Sequence, residues 1–153
     1  MVPDDIMITQ KYITQSEDET IRLAEKLGGA LQGHEIIGLV GDLGVGKTVF
    51  TKGIASGLGL DDAGHVCSPS YTLINIYEAR VPIIHIDLYR MESLEEITDL
   101  GWEEYISNGV VIIEWADRLP ALEDAVYVYL KMTNKQGRRI TIRSAPYLKL
   151  NQR

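Results

Sequence analysis

Two periods of apolar residues divide the chain. Ile36-Ile37-Gly38-Leu39-Val40 and Val110-Val111-Ile112-Ile113 are short continuous apolar runs, the pattern of strands buried on both faces. Phe50, Ile54 and Leu58 recur every four residues, which predicts a helix after Lys47. A second helical stripe, Ile21, Ala24, Leu27 and Leu31, follows Ser16-Glu17-Asp18-Glu19, whose spacing is that of a capping box, and Gly33 can end that helix. Ile6 to Ile13 mixes β-branched and polar residues and predicts a first strand. Leu73 to Tyr77 and Val81 to Leu88 predict two more, joined by the Glu78-Ala79-Arg80 turn. Ser93 to Glu96 is another capping box, opening a helix with Leu94, Ile97 and Leu100 that continues through Trp102 to Ile106, before a turn at Asn108-Gly109. Gly57, Gly59 and Gly64 are read as breaks in the chain. Val126 to Met132 and Arg139 to Arg143 flank Asn134-Lys135-Gln136-Gly137 as a hairpin. Helices and strands alternate early and strands dominate late, so the class is α/β, with a mixed sheet and added β-hairpins.

Between the Ile36–Val40 strand and the following helix lies Gly41-Asp42-Leu43-Gly44-Val45-Gly46-Lys47-Thr48, which fits G-x-x-x-x-G-K-[ST]. The match arises by chance in a chain of this length on the order of one time in a hundred. Its position between a strand and a helix lowers that further. Glycines let successive N–H groups turn toward a phosphate, the Lys reaches the β- and γ-phosphates, and the Thr hydroxyl sits on Mg²⁺. The helix begins where the phosphates would lie, so its dipole favours the anion. The expected architecture is therefore a P-loop NTPase-like three-layer core, one domain over residues 1–153.

Composition narrows the setting. The 45% hydrophobic and 24% charged content is that of a soluble globular protein. Net charge is −7 and no block of Lys and Arg stands out, which argues against a dominant nucleic-acid surface. A single cysteine, Cys67, excludes an internal disulfide and suits a reducing compartment. No apolar run reaches the length of a membrane span, and Met1-Val2-Pro3-Asp4-Asp5 lacks the basic-then-apolar order of a signal peptide, so a cytoplasmic location and no membrane partner are expected.

A P-loop needs a second Mg²⁺ anchor, an acidic residue at the end of a hydrophobic strand. Asp87 follows Ile83-Ile84-His85-Ile86, and Glu114 follows Val110 to Ile113. One can hold the metal and the other orient the attacking water as a general base, and the sequence does not decide which. Ser68-Pro69-Ser70-Tyr71-Thr72 is dense in hydroxyls around a rigid Pro and sits where a loop can reach a γ-phosphate or metal, as switch loops do. Trp115, directly after Glu114, can shield the site or form a contact surface. Asn134-Lys135-Gln136-Gly137 lacks the Asp that would read a guanine edge, and Asp61-Asp62-Ala63-Gly64 has no hydrophobic strand before it. His34, His65 and His85 have no zinc spacing; His85 reads as a core residue or one supporting the site, and Cys67 as a small inert hydrophobe.

The P-loop, then Ser68-Pro69-Ser70-Tyr71-Thr72-Leu73, then His85-Ile86-Asp87-Leu88-Tyr89-Arg90, then Glu114-Trp115, in this order and spacing over nearly the whole chain, resembles the bacterial TsaE (YjeE) family. Ser70 stands where that family usually has Thr, keeping the hydroxyl, and Val45 where Ala is frequent. The resemblance implies a small cytoplasmic ATPase, weak alone, that works with the TsaD and TsaB proteins to make threonylcarbamoyladenosine at position 37 of tRNAs. It meets tRNA only indirectly, and its hydrolysis resets the TsaB–TsaD complex without transferring the threonylcarbamoyl group. It implies ATP, with ADP as product, and Mg²⁺. It places nucleotide on Gly41, Asp42, Leu43, Gly44, Val45, Gly46, Lys47, Thr48, Val49, Ser70, Asp87 and Arg138, the last near the base. It gives Mg²⁺ to Thr48, Glu114 and Asp87, with Glu114 favoured as direct ligand, and makes Lys47, Asp87, Glu114 and Trp115 the catalytic group. The rivals are a small-molecule kinase, for which no Arg-rich lid insertion is visible, a GTPase, which lacks the guanine reader, and a nucleotide-binding regulatory partner without hydrolysis.

Overall fold

A computed structural model describes residues 3–69, 73–106 and 108–150. Its strands are β1 (Ile8–Thr14), β2 (Ile36–Val40), β3 (Ile74–Glu78), β4 (Pro82–Asp87), β5 (Val110–Glu114), β6 (Val126–Met132) and β7 (Arg138–Ser144). Its α-helices are α1 (Glu17–Ala30), α2 (Lys47–Gly57) and α3 (Leu94–Asp99). The strands form one mixed sheet in the order β1-β7-β6-β2-β5-β4-β3. The centre is parallel, with β2 between β6 and β5, and β4 beyond β5. The flanks are antiparallel: β1 and β6 on either side of β7, and β3 on β4. The central strands are continuous apolar runs because both of their faces are covered.

One face carries α1 and α2. Leu27, Phe50, Ile54 and Leu58 pack there on Ile37, Leu39, Ile112, Val128 and Ile142. The other face is covered over β4, β5 and β2 by α3 and short 3₁₀ turns, with Ile97, Trp102 and Leu88 on Ile84, Ile86, Val111 and Ile113. The expected α/β architecture with a mixed sheet and terminal hairpin is present.

Both capping boxes form. Ser16 Oγ accepts from Glu19 N at 3.2 Å and Ser93 Oγ from Glu96 N at 3.2 Å. The two glutamates return one residue further out than the usual box, to Gln15 N and Glu92 N. Four readings of local structure need correction. The first strand begins at Ile8, because Asp4–Ile6 is a 3₁₀ turn. The first helix ends at Ala30, before Gly33, whose positive φ of 117° serves the turn into β2. Trp102–Tyr105 does not continue α3; Gly101 intervenes at φ 69° and a separate 3₁₀ turn follows. Gly57 does not break the chain: it is the last residue of α2 and touches α1.

That contact belongs to a glycine seam. A Cβ on Gly28 would lie 2.3 Å from Ile54 O, one on Gly53 2.4 Å from Ala24 Cβ, and one on Gly57 2.2 Å from Glu25 O. The backbones of α1 and α2 therefore approach more closely than any side chain would permit. The turn after α1 is held by Glu35, which is 4% exposed. It accepts from Gln32 N (2.7 Å), Gly33 N (2.9 Å), His34 N (3.0 Å) and the Tyr147 hydroxyl (2.7 Å). Burial pushes the Glu35 carboxyl up, but these donors outweigh burial and hold it below the ordinary value. Burial and Glu35 together push the Tyr147 phenol well up.

Candidate active site

Residues Gly41–Gly46 turn the chain from the C-terminal end of β2 into α2. Gly44 and Gly46 adopt φ of 80° and 111°, the left-handed region that a side chain would strain. Gly46 is the N-cap of α2 and offers no side-chain acceptor, and the first turn of α2 carries no acidic residue. The helix itself thus supplies no anion to its leading N–H groups and dipole.

The Lys47 side chain folds back over this loop. Its Nζ donates to Gly41 O at 2.6 Å and Asp42 O at 2.8 Å and lies 4.1 Å from the centre of the Trp115 ring. Burial pulls the ammonium pKa below the usual lysine value, against the opposing pull of Glu114, Asp87, Asp117 and Asp42. A cation desolvated in this way gains strongly from an anion placed against it.

The facing wall comes from the C-terminal ends of β4 and β5. Their register pairs Asp87 with Glu114, so the two carboxylates are neighbours across adjacent strands. Glu114 is 3% exposed. Thr48 Oγ1 lies 3.1 Å from each of its oxygens and donates to them, and His85 Nε2 lies 2.5 Å from Oε2. With a carboxylate as acceptor, Nε2 is the donor. That leaves the buried His85 Nδ1 without a partner among the described residues, a cost of about 1–3 kcal/mol that marks the orientation of the ring as strongly imposed. Asp87 accepts from Ser68 Oγ through Oδ2 and from Tyr89 N (2.9 Å) through Oδ1.

Trp115 closes the constellation in a left-handed backbone conformation (φ 61°, ψ 40°). The Tyr89 ring centre is 5.0 Å away and the Arg118 guanidinium carbon 5.8 Å from the ring. Arg118 also donates to Met91 O. Around these groups opens a cavity of about 480 Å³, lined by Gly44, Lys47, Thr48, Asp87, Glu114 and Trp115 among others. The volume falls within the usual range for a small-molecule site. The donors are oxygens, a hydroxyl and two carboxylates, a set that suits Mg²⁺ and not a thiophilic metal.

A second cavity of about 290 Å³ adjoins the other side of the loop, lined by Ser16, Thr20, Val45, Val49, Lys135 and Arg138. Arg138 Nε donates to Val45 O at 2.6 Å, tying the hairpin to the P-loop. Gly41, Asp42, Leu43 and Val49 all sit in or beside the loop, with Leu43 70% exposed at its tip. Ser70, with Tyr71 and Thr72, lies outside the described residues. One feature escaped the sequence: Ser68, rather than only its loop, engages Asp87. His85, read as a core residue or one supporting the site, reaches Glu114 on the adjacent strand. No described helix is long and apolar enough to cross a membrane.

Residues 14–141 match the family model for the threonylcarbamoyl adenosine biosynthesis protein TsaE. Curated proteins named tRNA threonylcarbamoyladenosine biosynthesis protein TsaE are similar to the chain. The one from Aquifex aeolicus is 36% identical over 134 residues, covering 87% of this chain and 96% of that one. The one from Bacillus subtilis is 38% identical over 137 residues, covering 86% and 83%. A crystal structure of Bacillus subtilis YdiB has the same fold, with a TM-score of 0.68 at 32% identity over 91% of this chain and 87% of that one.

Proposed function

The chain belongs to the TsaE family, and we propose that it is a Mg²⁺-dependent ATPase, slow alone, that supports threonylcarbamoyladenosine modification of tRNA in the cytoplasm by acting on a TsaB–TsaD complex. The observation that carries the ATPase reading is the convergence of Lys47, Thr48, Asp87 and Glu114 on one cavity at the start of α2. In this reading the N–H groups of Gly44 to Thr48 receive the phosphates, and Lys47 exchanges its carbonyl partners for phosphate oxygens. Thr48 and Glu114 would hold Mg²⁺, which supplies neutralising charge to the β- and γ-phosphates when bound. His85 fixes the rotamer of Glu114. Asp87, steadied by Ser68 and the Tyr89 amide, orients the attacking water. Arg138 and the second cavity suit the nucleoside end.

Two arginines near the loop are already engaged, while Arg90 lines the cavity itself. Arg118 is tied to Met91 O and stacked at Trp115, and Arg138 is tied to Val45 O. In this reading a partner completes stabilisation of the γ-phosphate transition state, a contribution worth roughly a thousandfold or more when supplied in trans. The test is phosphate release at saturating Mg·ATP, measured for the chain alone and then with a TsaB–TsaD complex and tRNA. Stimulation by the complex, abolished by Lys47→Ala, is expected. Equal rates with and without the complex refute the partner reading, and undiminished turnover in Lys47→Ala refutes the P-loop site.

A further inference from the structure

Among the described residues no helix covers the outer face of the far half of the sheet, and only at Tyr127 does the segment with Ala116 and Leu122 pack against it. In β1, β7 and β6 the residues toward α1 and α2 are mostly buried, while those on the opposite face are exposed or half-buried. The strand registers set these outward residues in three rows: Thr9, Arg143 and Tyr127; Lys11, Thr141 and Tyr129; Ile13, Arg139 and Lys131. No Asp or Glu occurs anywhere in these three seven-residue strands, although the chain as a whole has net charge −7. Four cations, Lys11, Lys131, Arg139 and Arg143, thus share one face of an acidic protein. They are scattered in sequence and gathered only by the antiparallel pairing of β1 with β7 and β6 with β7. Between them the rings of Tyr127 and Tyr129 stack at 6.1 Å and 21°. Tyr129 is 43% exposed and Ile13 61%. Carboxylates approach at two edges: Asp117, Glu123 and Asp124 line a cavity with Arg143 and both tyrosines, and Glu19 lines one with Lys11 and Ile13.

We infer that this open face is a binding platform for single-stranded RNA. Cations interleaved with exposed aromatic faces on a flat sheet are what a single strand requires: phosphates take the Lys and Arg, and bases stack on the rings. An acidic protein would account for the cations but would not need Tyr129 bare between them. The threonine hydroxyls in the same rows, Thr9 and Thr141, offer partners for 2′-hydroxyls, which favours RNA over DNA. One end of the face adjoins the P-loop, where Gly41 meets Leu130, but its residues line neither cavity beside that loop, so the inference does not depend on the nucleotide reading.

Fluorescence polarisation with a labelled mixed-sequence 12-nucleotide RNA tests it, titrated with the full chain at several salt concentrations. Binding should weaken with salt at a log–log slope of about −2, the value for roughly three phosphate contacts on a single strand. Tyr129→Ala should weaken binding about tenfold with the slope unchanged, through loss of one stacked base. Lys131→Ala with Arg139→Ala should flatten the slope by about 1.4. Nucleotide-induced thermal stabilisation should be the same in all variants, which separates this surface from the cavity at Lys47. No salt-dependent binding overturns the inference. So does equal affinity for poly-glutamate or for DNA of the same sequence, or indifference to Tyr129→Ala, each of which marks a general anion surface instead.

Discussion

Glu114→Gln separates chemistry from folding, because the two consequences differ greatly in size. The carboxylate accepts hydrogen bonds from Thr48 Oγ1 and His85 Nε2 inside the protein. Bonds to a charged acceptor contribute about 1.5–3 kcal/mol each and neutral ones about 0.5–1.5, so removing the charge from two bonds costs about 2 kcal/mol. Relief from burying that charge offsets part of this. A net loss of about 1–2 kcal/mol lowers the melting temperature by roughly 2–8 °C in a domain of this length and leaves a protein of ordinary stability almost wholly folded at 25 °C. Turnover should fall far more. Outer-sphere partners of a metal ligand are worth about 10–100-fold, so loss of the ligand itself should cost about 100-fold or more. Thermal melts and phosphate release across a Mg²⁺ titration, on the same preparation, read both quantities. Turnover within about threefold of the parent at saturating Mg²⁺ would refute the role given to Glu114. A melting shift large enough to unfold the variant at the assay temperature would refute the estimate of its structural part.

Trp115→Ala should leave nucleotide affinity within about threefold, because the hydrogen bonds of Lys47 Nζ go to the loop and not to the ring, yet remove stimulation by the TsaB–TsaD complex; isothermal titration beside the stimulated phosphate-release assay checks both. Glu35→Gln should destabilise the fold at neutral pH. The folded carboxyl is held below the ordinary 4.5, so its contribution is present above that value and is lost as pH falls through the lowered folded pKa; the gap in melting temperature between parent and variant should therefore narrow below pH 4.5. Gly57→Ala should cost about 1–3 kcal/mol or more by overpacking, whereas Gly29→Ala, whose new methyl would lie 3.9 Å from the nearest atom, should gain up to about 1 kcal/mol from helix propensity; urea melts of the pair should shift in opposite directions.

Local regularities were legible along the chain and distant approaches were not. The β2–P-loop–α2 unit could be read because strand, glycine turn and helix are contiguous, each with its own pattern. Both capping boxes could be read for the same reason. Gly57 could not, because its purpose is set by Glu25 on another helix, and an isolated glycine reads equally as a break or a contact. The Asp87–Glu114 pairing needed the register of β4 against β5, which no single strand encodes. The same holds for the basic face. Counting Lys and Arg along the chain found no cluster, since Lys11 and Arg139 become near neighbours only when β1 joins β7.

The glycine seam has a mechanical consequence. Helix α2 starts at Lys47, and α1 starts one residue after Ser16, which lines the smaller cavity. With no side chains between their backbones at Gly28, Gly53 and Gly57, the two helices cannot slide or roll without collision, and they behave as a single stiff block. That block forms an anvil beneath the P-loop, and Arg138 clamps the terminal hairpin to it through Val45. Opposite stand the segments bearing Ser68, Asp87 to Arg90 and Trp115, which include left-handed residues at Leu73 and Trp115 and meet partly through side chains. If a bound phosphate drives a movement as the proposed function requires, the glycine seam directs it to that side, and a nucleotide-sensing partner would grip the jaw and not the anvil.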